Sequence, residues 1–502
     1  MTSFYTLPGR AGQIKTFSSL ILATLLVAVL ALTQASAPRL HASPEVLQQA
    51  TAHPETPLRV IVQKHADDHA VDSLIARLGG RITTDLYIIN AVTAELPASS
   101  IYTLAQSAGV RWISLDAPTV QTGSPEVSFA NLTNAYIRSI RADQVWKTSG
   151  NYQGQGIGVA VVDSGVNPQQ DLYTARGTNR LVASVAYNNG WNQTVYDGYG
   201  HGNHVAGVIA GNGSRSNGAY IGVAPMSNII NVKVSDDQGA ATVSNVVHGL
   251  QWIYENRATY NIRVVNLSLN ESTLTSYNTS PLCAAAEVLW FNKIVVVVSA
   301  GNHGQDGALY PPANDPFVIT VGATDDKGTP NINDDTIASF SAYGKTVDGF
   351  AKPDLVAPGK NIVSLLPGTN LGMAAAHPDN IVYVNGSPAY FRMSGTSAAA
   401  PMVSGAAALL LQDEPNLTPD QVKYRLTATA SKKWTNYNAA RAGAGYLDAY
   451  AAVTDTTTDS ANTGIAMSQI LSGNGRAQTW NSASWGSASW GSASWGSDYW
   501  GP

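Results

Sequence analysis

At 502 residues, with 44% apolar side chains and 45 glycines, the chain is too long for one ordinary domain and rich enough in core formers for a large globular fold. A formal net charge of −5, with 13% charged residues and no Lys/Arg-rich stripe on any expected helix, offers no basic field and argues against a nucleic-acid partner. A single cysteine, Cys283, excludes an internal disulfide, and its Leu-Cys-Ala-Ala-Ala-Glu context predicts a buried, inert thiol.

Residues 1–37 read as an export signal, because Arg10 and Lys15 precede an uncharged run over 17–32 and then the small residues Ala35-Ser36-Ala37. That run falls short of the ~20 residues that cross a bilayer. Cleavage is therefore expected, with Ala35 or Ala42 as alternative points because Pro38 follows Ala37, and the mature protein is expected outside the cell or on its surface.

Over 57–118 the pattern is β-α-β-β-α-β, with strands at 58–64, 81–86, 91–96 and 110–115 and helices at 71–78 and 99–108. A polar linker follows at 116–126. Between 131 and 452, Val/Ile-rich runs at 157–162, 229–234, 263–269, 294–299 and 317–321 alternate with helical patterns at 204–210, 243–256, 281–290 and 397–411. Continuous apolar runs belong to strands covered on both faces. The expected fold class is therefore α/β, a doubly wound, mainly parallel sheet behind a small N-terminal α+β domain, with chemistry at the carboxyl ends of the strands.

From 455 to 502 the chain becomes Thr/Ser/Asn/Gly-rich and ends in Ser-Ala-Ser-Trp-Gly repeats that place Trp480, Trp485, Trp490, Trp495 and Trp500 five residues apart. Five matches neither the helical nor the strand period, so these rings cannot share one buried face. Exposed Trp-Gly units offer stacking faces for polysaccharide or cell wall; a low-complexity linker has the same composition.

Three short segments carry the chemistry. Asp163, at the end of an apolar strand in Asp163-Ser164-Gly165, is placed to orient an imidazole, although a turn or capping aspartate fits the same local pattern. His201 opens a helix between Gly200 and Gly202, which suits a reachable general base. A metal pair with His204 lacks a neighbouring Cys, Asp or Glu ligand, so no metal is assigned and His204 reads as a packing residue. Ser397 lies in the first turn of an Ala-rich helix, where its own N–H is free to hold an oxyanion; a plain N-cap serine fits equally well. Asn302, after the strand at 294–299, can supply a second oxyanion donor, and a simple Gly-Asn turn is the competing reading.

Taken together and in this order, Asp163, His201, Asn302 and Ser397 resemble the Asp, His, Asn and Ser blocks of the subtilisin family of serine peptidases. The resemblance extends over Gly222-Val223-Ala224-Pro225, Asn266-Leu267-Ser268-Leu269 and Val356-Ala357-Pro358-Gly359. It implies peptide-bond hydrolysis through an acyl-enzyme, with Asp163, His201 and Ser397 as triad and Asn302 as oxyanion donor. It also implies that protein substrates pair as an extended strand with Ser268, Leu269 and Asn270 and with Gly239-Ala240-Ala241. The small N-terminal domain resembles the family's inhibitor-type propeptide, a second partner that would template folding and block the cleft until cut between 116 and 131.

Departures from the family pattern bear on specificity. Asn203 replaces Thr, Ala398 and Ala400 replace larger residues, and Asn270 stands where Gly commonly lines the pocket; Asn270 or Leu309 would narrow that pocket. No cofactor is needed for the chemistry. The stretch 212–220, where many relatives hold calcium, has no carboxylate and contains Arg215, so no calcium is expected there, while Asp171 or Asp325-Asp326 could serve another site. The rival class, a surface-binding protein on an inactive peptidase scaffold, would require a lost triad member, and none is lost. A serine-carboxyl peptidase would carry Glu at His201 and Asp at Asn302.

Overall fold

The computed structural model describes residues 40–65, 69–121, 123–124, 134–188, 194–304 and 308–472. The expected signal segment and the Trp-Gly repeats lie outside the described residues.

In the small domain, helix α1 (Pro44–Ala52) precedes strand β1 (Pro57–Lys64), helix α2 (His69–Arg77) and strands β2 (Arg81–Leu86) and β3 (Ala91–Pro97). Helix α3 (Ile101–Ala105) and strand β4 (Val110–Leu115) complete it. The strands pair antiparallel in the order β2-β3-β1-β4. Alternation along β1 sets the layering: Val60 and Val62 enter this domain's own core, while Ile61 joins the core of the larger domain. Helix α1 is an addition to the expected pattern; its local signal is Ser43-Pro44-Glu45, in which Ser43 Oγ caps the Val46 N–H and proline takes the first turn.

The chain leaves the small domain as two short strands, β5 (Pro118–Gln121) and β6 (Gly123–Ser124), and enters the larger one. There, after two short helices, come β7 (Gly158–Asp163), β8 (Leu181–Ala186), helix α4 (His201–Ala210), β9 (Asn228–Lys233), β10 (Ala241–Thr242) and helix α5 (Val243–Asn256). Strands β11 (Ile262–Leu267) and β12 (Leu269–Glu271), helix α6 (Pro281–Phe291), β13 (Val295–Ser299), β14 (Ile319–Asp325) and β15 (Thr336–Ile337) follow. Beyond them lie β16 (Leu355–Pro358), β17 (Ser387–Gly395) and the long helix α7 (Thr396–Asp413), with three shorter helices after it.

The central sheet runs β8-β9-β7-β11-β13-β14-β15 with β16 also on β14, and every pairing but β14 with β15 is parallel. Every residue of β7 and β13 is buried, as a sheet covered on both faces requires. From β7 the chain builds one edge through β8 and β9 and then the other from β11 onward. The carboxyl end of β7 therefore opens onto the crevice where such folds place their chemistry.

The packed body extends beyond the expected boundary at 452–455. Met467, Ile470 and Leu471 are buried, and the buried carboxylate of Glu287 on α6 accepts the Ser468 N–H (3.0 Å) and Oγ–H (2.8 Å). Composition hid this segment, because its anchors are three apolar side chains within a polar run.

Candidate active site

Asp163 is the last residue of β7 and is wholly buried. Its Oδ1 and Oδ2 accept from His201 Nδ1 at 2.8 and 3.0 Å, which fixes the imidazole with Nδ1 as donor and Nε2 turned outward. His201 opens α4, and this helix comes close because position 202 is glycine: a Cβ there would lie 2.1 Å from the Gly165 carbonyl oxygen. The helix start is tied down by Asp197, a residue whose part the motifs did not disclose. Asp197 Oδ1 accepts the Gly200 N–H (2.6 Å) and Ser164 Oγ–H (2.9 Å), and Oδ2 accepts the Asn203 N–H (2.8 Å). Burial, with the nearby Asp163 carboxylate, pushes Asp197 up to about 6. Its only sequence signal is an aspartate four residues before the histidine, within Asp-Gly-Tyr-Gly-His.

Asn203 Oδ1 accepts the Asn167 N–H at 2.8 Å, so it locks the loop after Asp163. His204 is buried and donates through Nε2 to the Ile362 carbonyl at 2.9 Å. Burial lowers it to about 3, which keeps it a neutral packing group.

Ser397 sits where β17 hands over to α7. Its N–H, in the helix's first turn, has no intrahelical partner. Pro401 stands four residues on, so the Ser397 carbonyl receives no helical N–H; Ser268 Oγ donates to it instead, at 3.1 Å. Ser268 in turn accepts from Asn266 Nδ2 (2.8 Å), and Asn266 Oδ1 accepts from Ser404 Oγ (2.8 Å), so one buried network holds the nucleophile's helix to the end of β11. The Ser268 side chain is thus a support of Ser397. Ser397 Oγ and His201 Nε2 are both buried without a hydrogen-bond partner, the two atoms that proton transfer would join.

Asn302 follows β13. Its Oδ1 accepts the Thr396 N–H (2.9 Å) and Oγ1–H (3.0 Å), while Thr396 Oγ1 accepts the Gly301 N–H (3.0 Å). Double anchoring of Oδ1 leaves Nδ2 as the donor beside the start of α7. Cys283 is buried, burial raises its thiol well above the ordinary value, and its Sγ–H meets Asn314 Oδ1 at 3.4 Å, far from any role as nucleophile.

Two short strands of the chain itself, 118–121 and 123–124, run through this cleft. Strand β5 lies between β10 and β12, antiparallel to both, with Gln121 opposite Leu269, Val120 opposite Asn270 and Thr119 opposite both Glu271 and Ala241. Beyond it, Gly123 and Ser124 pair with Gly395 and Ser394, the residues that lead into Thr396 and Ser397. Leu269 and Asn270 thus take part in strand pairing. Gly239, with φ +82, completes a turn in which Asp236 Oδ1 accepts the Gln238 and Ala240 N–H groups, and Ala241 and Thr242, just after it, pair with β5.

Asp171 and Asp325-Asp326, the carboxylates that could serve a cation site elsewhere than 212–220, are engaged by protein groups. Asp171 accepts the Arg215 N–H (2.7 Å) and the Tyr390 hydroxyl, and the Arg180 guanidinium bonds the carbonyls of Asp171 (2.7 Å), Ala210 (2.7 Å) and Ser227 (2.8 Å). Asp325 pairs with Lys327 (2.6 Å) and Lys360 (3.3 Å), and Asp326 accepts the Gly328 N–H (3.0 Å).

Residues 154–475 match the model of the subtilase family. The chain belongs to the subtilase family. This subtilase is 36% identical over 368 residues to the serine protease AprX of Bacillus subtilis (strain 168), covering 72% of this chain and 78% of that one. It is 30% identical over 361 residues to subtilisin NAT of Bacillus subtilis subsp. natto, covering 71% and 80%. Among solved structures it resembles fervidolysin from Fervidobacterium pennivorans, a keratinolytic enzyme related to subtilisin, with a TM-score of 0.60 and 26% identity. The match covers 80% of this subtilase and 61% of that chain's length. The protein is a serine peptidase of subtilisin-like fold.

Proposed function

We propose that this subtilase is a secreted endopeptidase made as a self-inhibited precursor, with Asp163, His201 and Ser397 as its triad. His201 Nε2 takes the Ser397 Oγ proton as Oγ bonds to the scissile carbonyl carbon, and the displaced electron pair settles on the carbonyl oxygen. Asn302 Nδ2–H and the Ser397 N–H hold that oxyanion. Collapse breaks the C–N bond, the leaving amine takes the proton from His201, and water activated by the same imidazole then cleaves the acyl-enzyme. Asp163 keeps the proton on Nδ1 and stabilises the imidazolium.

The observation that carries this reading is the pairing of the chain's own strands, 118–121 with β10 and β12 and 123–124 with the approach to Ser397. A stretch held that way is a substrate in register, and it occupies the place of any other. The small domain keeps it there: Asp116 accepts the Ser244 N–H (2.9 Å) and Oγ–H (2.8 Å) at the start of α5 and pairs with Arg59 at 2.8 Å. Secretion rests on the signal-like pattern of residues 1–37; among the described residues no helix is long and apolar enough to cross a membrane.

The test is mass spectrometry of the full-length chain during maturation. The wild type should gain a new N-terminus at position 122 or 123, and Ser397→Ala should stay whole; a Ser397→Ala chain that matures without added protease contradicts self-cleavage. A binding role for the tail predicts that deletion from Thr479 onward releases the protein from cell-wall material, and unchanged retention removes it.

A further inference from the structure

One side chain occupies the place behind the scissile bond that a substrate residue would enter. In an antiparallel ladder, paired residues project to one face, as do residues two apart along a strand. Asn270 pairs with Val120, so the substrate side chain on Asn270's face at the cut is the one two residues further on, directly before the residue that pairs with Gly395.

Asn270 is 3% exposed and reaches from β12 to the end of β13, where its Nδ2 donates to the Ser299 carbonyl at 3.1 Å. Its Oδ1 lies 3.4 Å from where a Cβ on Gly301 would stand, immediately before Asn302, and it is buried with no hydrogen-bond partner. A buried acceptor left unsatisfied is costly, and a donor on a ligand relieves that cost.

We propose that Asn270 determines specificity in this peptidase by closing the pocket to large side chains and presenting Oδ1 to the hydroxyl of a Thr or Ser immediately before the scissile bond. The proposal rests on the triad reading above. Its test uses the full-length chain after maturation, with peptides that differ only at that residue and with active sites counted by a fluorescent phosphonate. The kcat/KM for Thr, Ser and Ala peptides should exceed that for Phe and Leu peptides at least tenfold, and Thr should exceed the isosteric Val. Asn270→Gly should raise the Phe and Leu peptides at least tenfold relative to Ala, and Asn270→Ala should abolish the advantage of Thr over Val while still opening the pocket. Labelled wild-type enzyme that cleaves Phe or Leu as fast as Thr, or Val as fast as Thr, overturns the proposal. A wild type that takes no label overturns the triad reading instead.

Discussion

Asn302 can act on an oxyanion only because Thr396 holds the other end of its amide. Removing the donor by Asn302→Ala should lower kcat by about 10²–10³ with little change in KM, the loss known for such a donor in a subtilisin. Thr396→Val removes both the Oγ1–H that Asn302 accepts and the acceptor for the Gly301 N–H. It should reproduce part of that loss, again in kcat, because Thr396 positions the donor without touching the reacting atoms; a change confined to KM would contradict this. Asp163, His201, Asn302 and Ser397 were legible in the sequence because each stands beside small residues where a strand meets a turn or helix. Thr396 and Ser268 were not, since their roles depend on partners 94 and 129 residues away. The helical proline is the local trace of the Ser268 contact: a carbonyl deprived of its N–H must find a donor elsewhere.

At the scale of elements, α4 is placed by two neutral or capping groups as much as by its apolar face. Buried His204 has its proton affinity lowered from the ordinary 6.5 to about 3, so between these limits the unfolded chain binds the proton and the folded one does not. His204 should therefore contribute a loss of stability on acidification below pH 6.5, up to about 1.4 kcal/mol per pH unit, read as the difference in slope between wild type and His204→Gln, because buried carboxyls such as Asp197, raised to about 6, act in the opposite sense. Chemical denaturation across pH 5–7 measures it. Beside the carboxyl end of α4, Arg180 donates to the carbonyls of Asp171, Ala210 and Ser227. A chelator should leave the thermal midpoint unchanged, and Arg180→Met should cost roughly 3 kcal/mol or more by leaving buried acceptors bare. The absence of carboxylates over 212–220 was readable in sequence; the guanidinium's place was not, because Arg180 comes from a different segment.

At the scale of the whole molecule, the small domain and the tail both close on the catalytic body, and their legibility differs for a physical reason. Regular β-α-β-β-α-β periodicity announced the first, and strand alternation even explains how Ile61 faces the larger core. The segment 455–472 has no periodicity; it is held by Ser468 on Glu287 and by Arg425, which donates to the carbonyls of Asp455 (2.8 Å) and Thr457 (2.7 Å). A chain ending at 454 should therefore melt well below one ending at 472, since it leaves Glu287 and Arg425 buried and short of partners. Asp116→Ala in the uncut Ser397→Ala precursor should cost about 1–2 kcal/mol of stability through loss of its two hydrogen bonds from Ser244 at the start of α5. All of this surrounds one claim, that a single hydroxyl is activated by a single imidazole. Mapping the adduct of a serine-directed phosphonate by mass spectrometry tests that claim most directly: the account predicts one label, on Ser397, abolished by His201→Ala, and a label on another residue, or on Ser397 at an unchanged rate without His201, would contradict it.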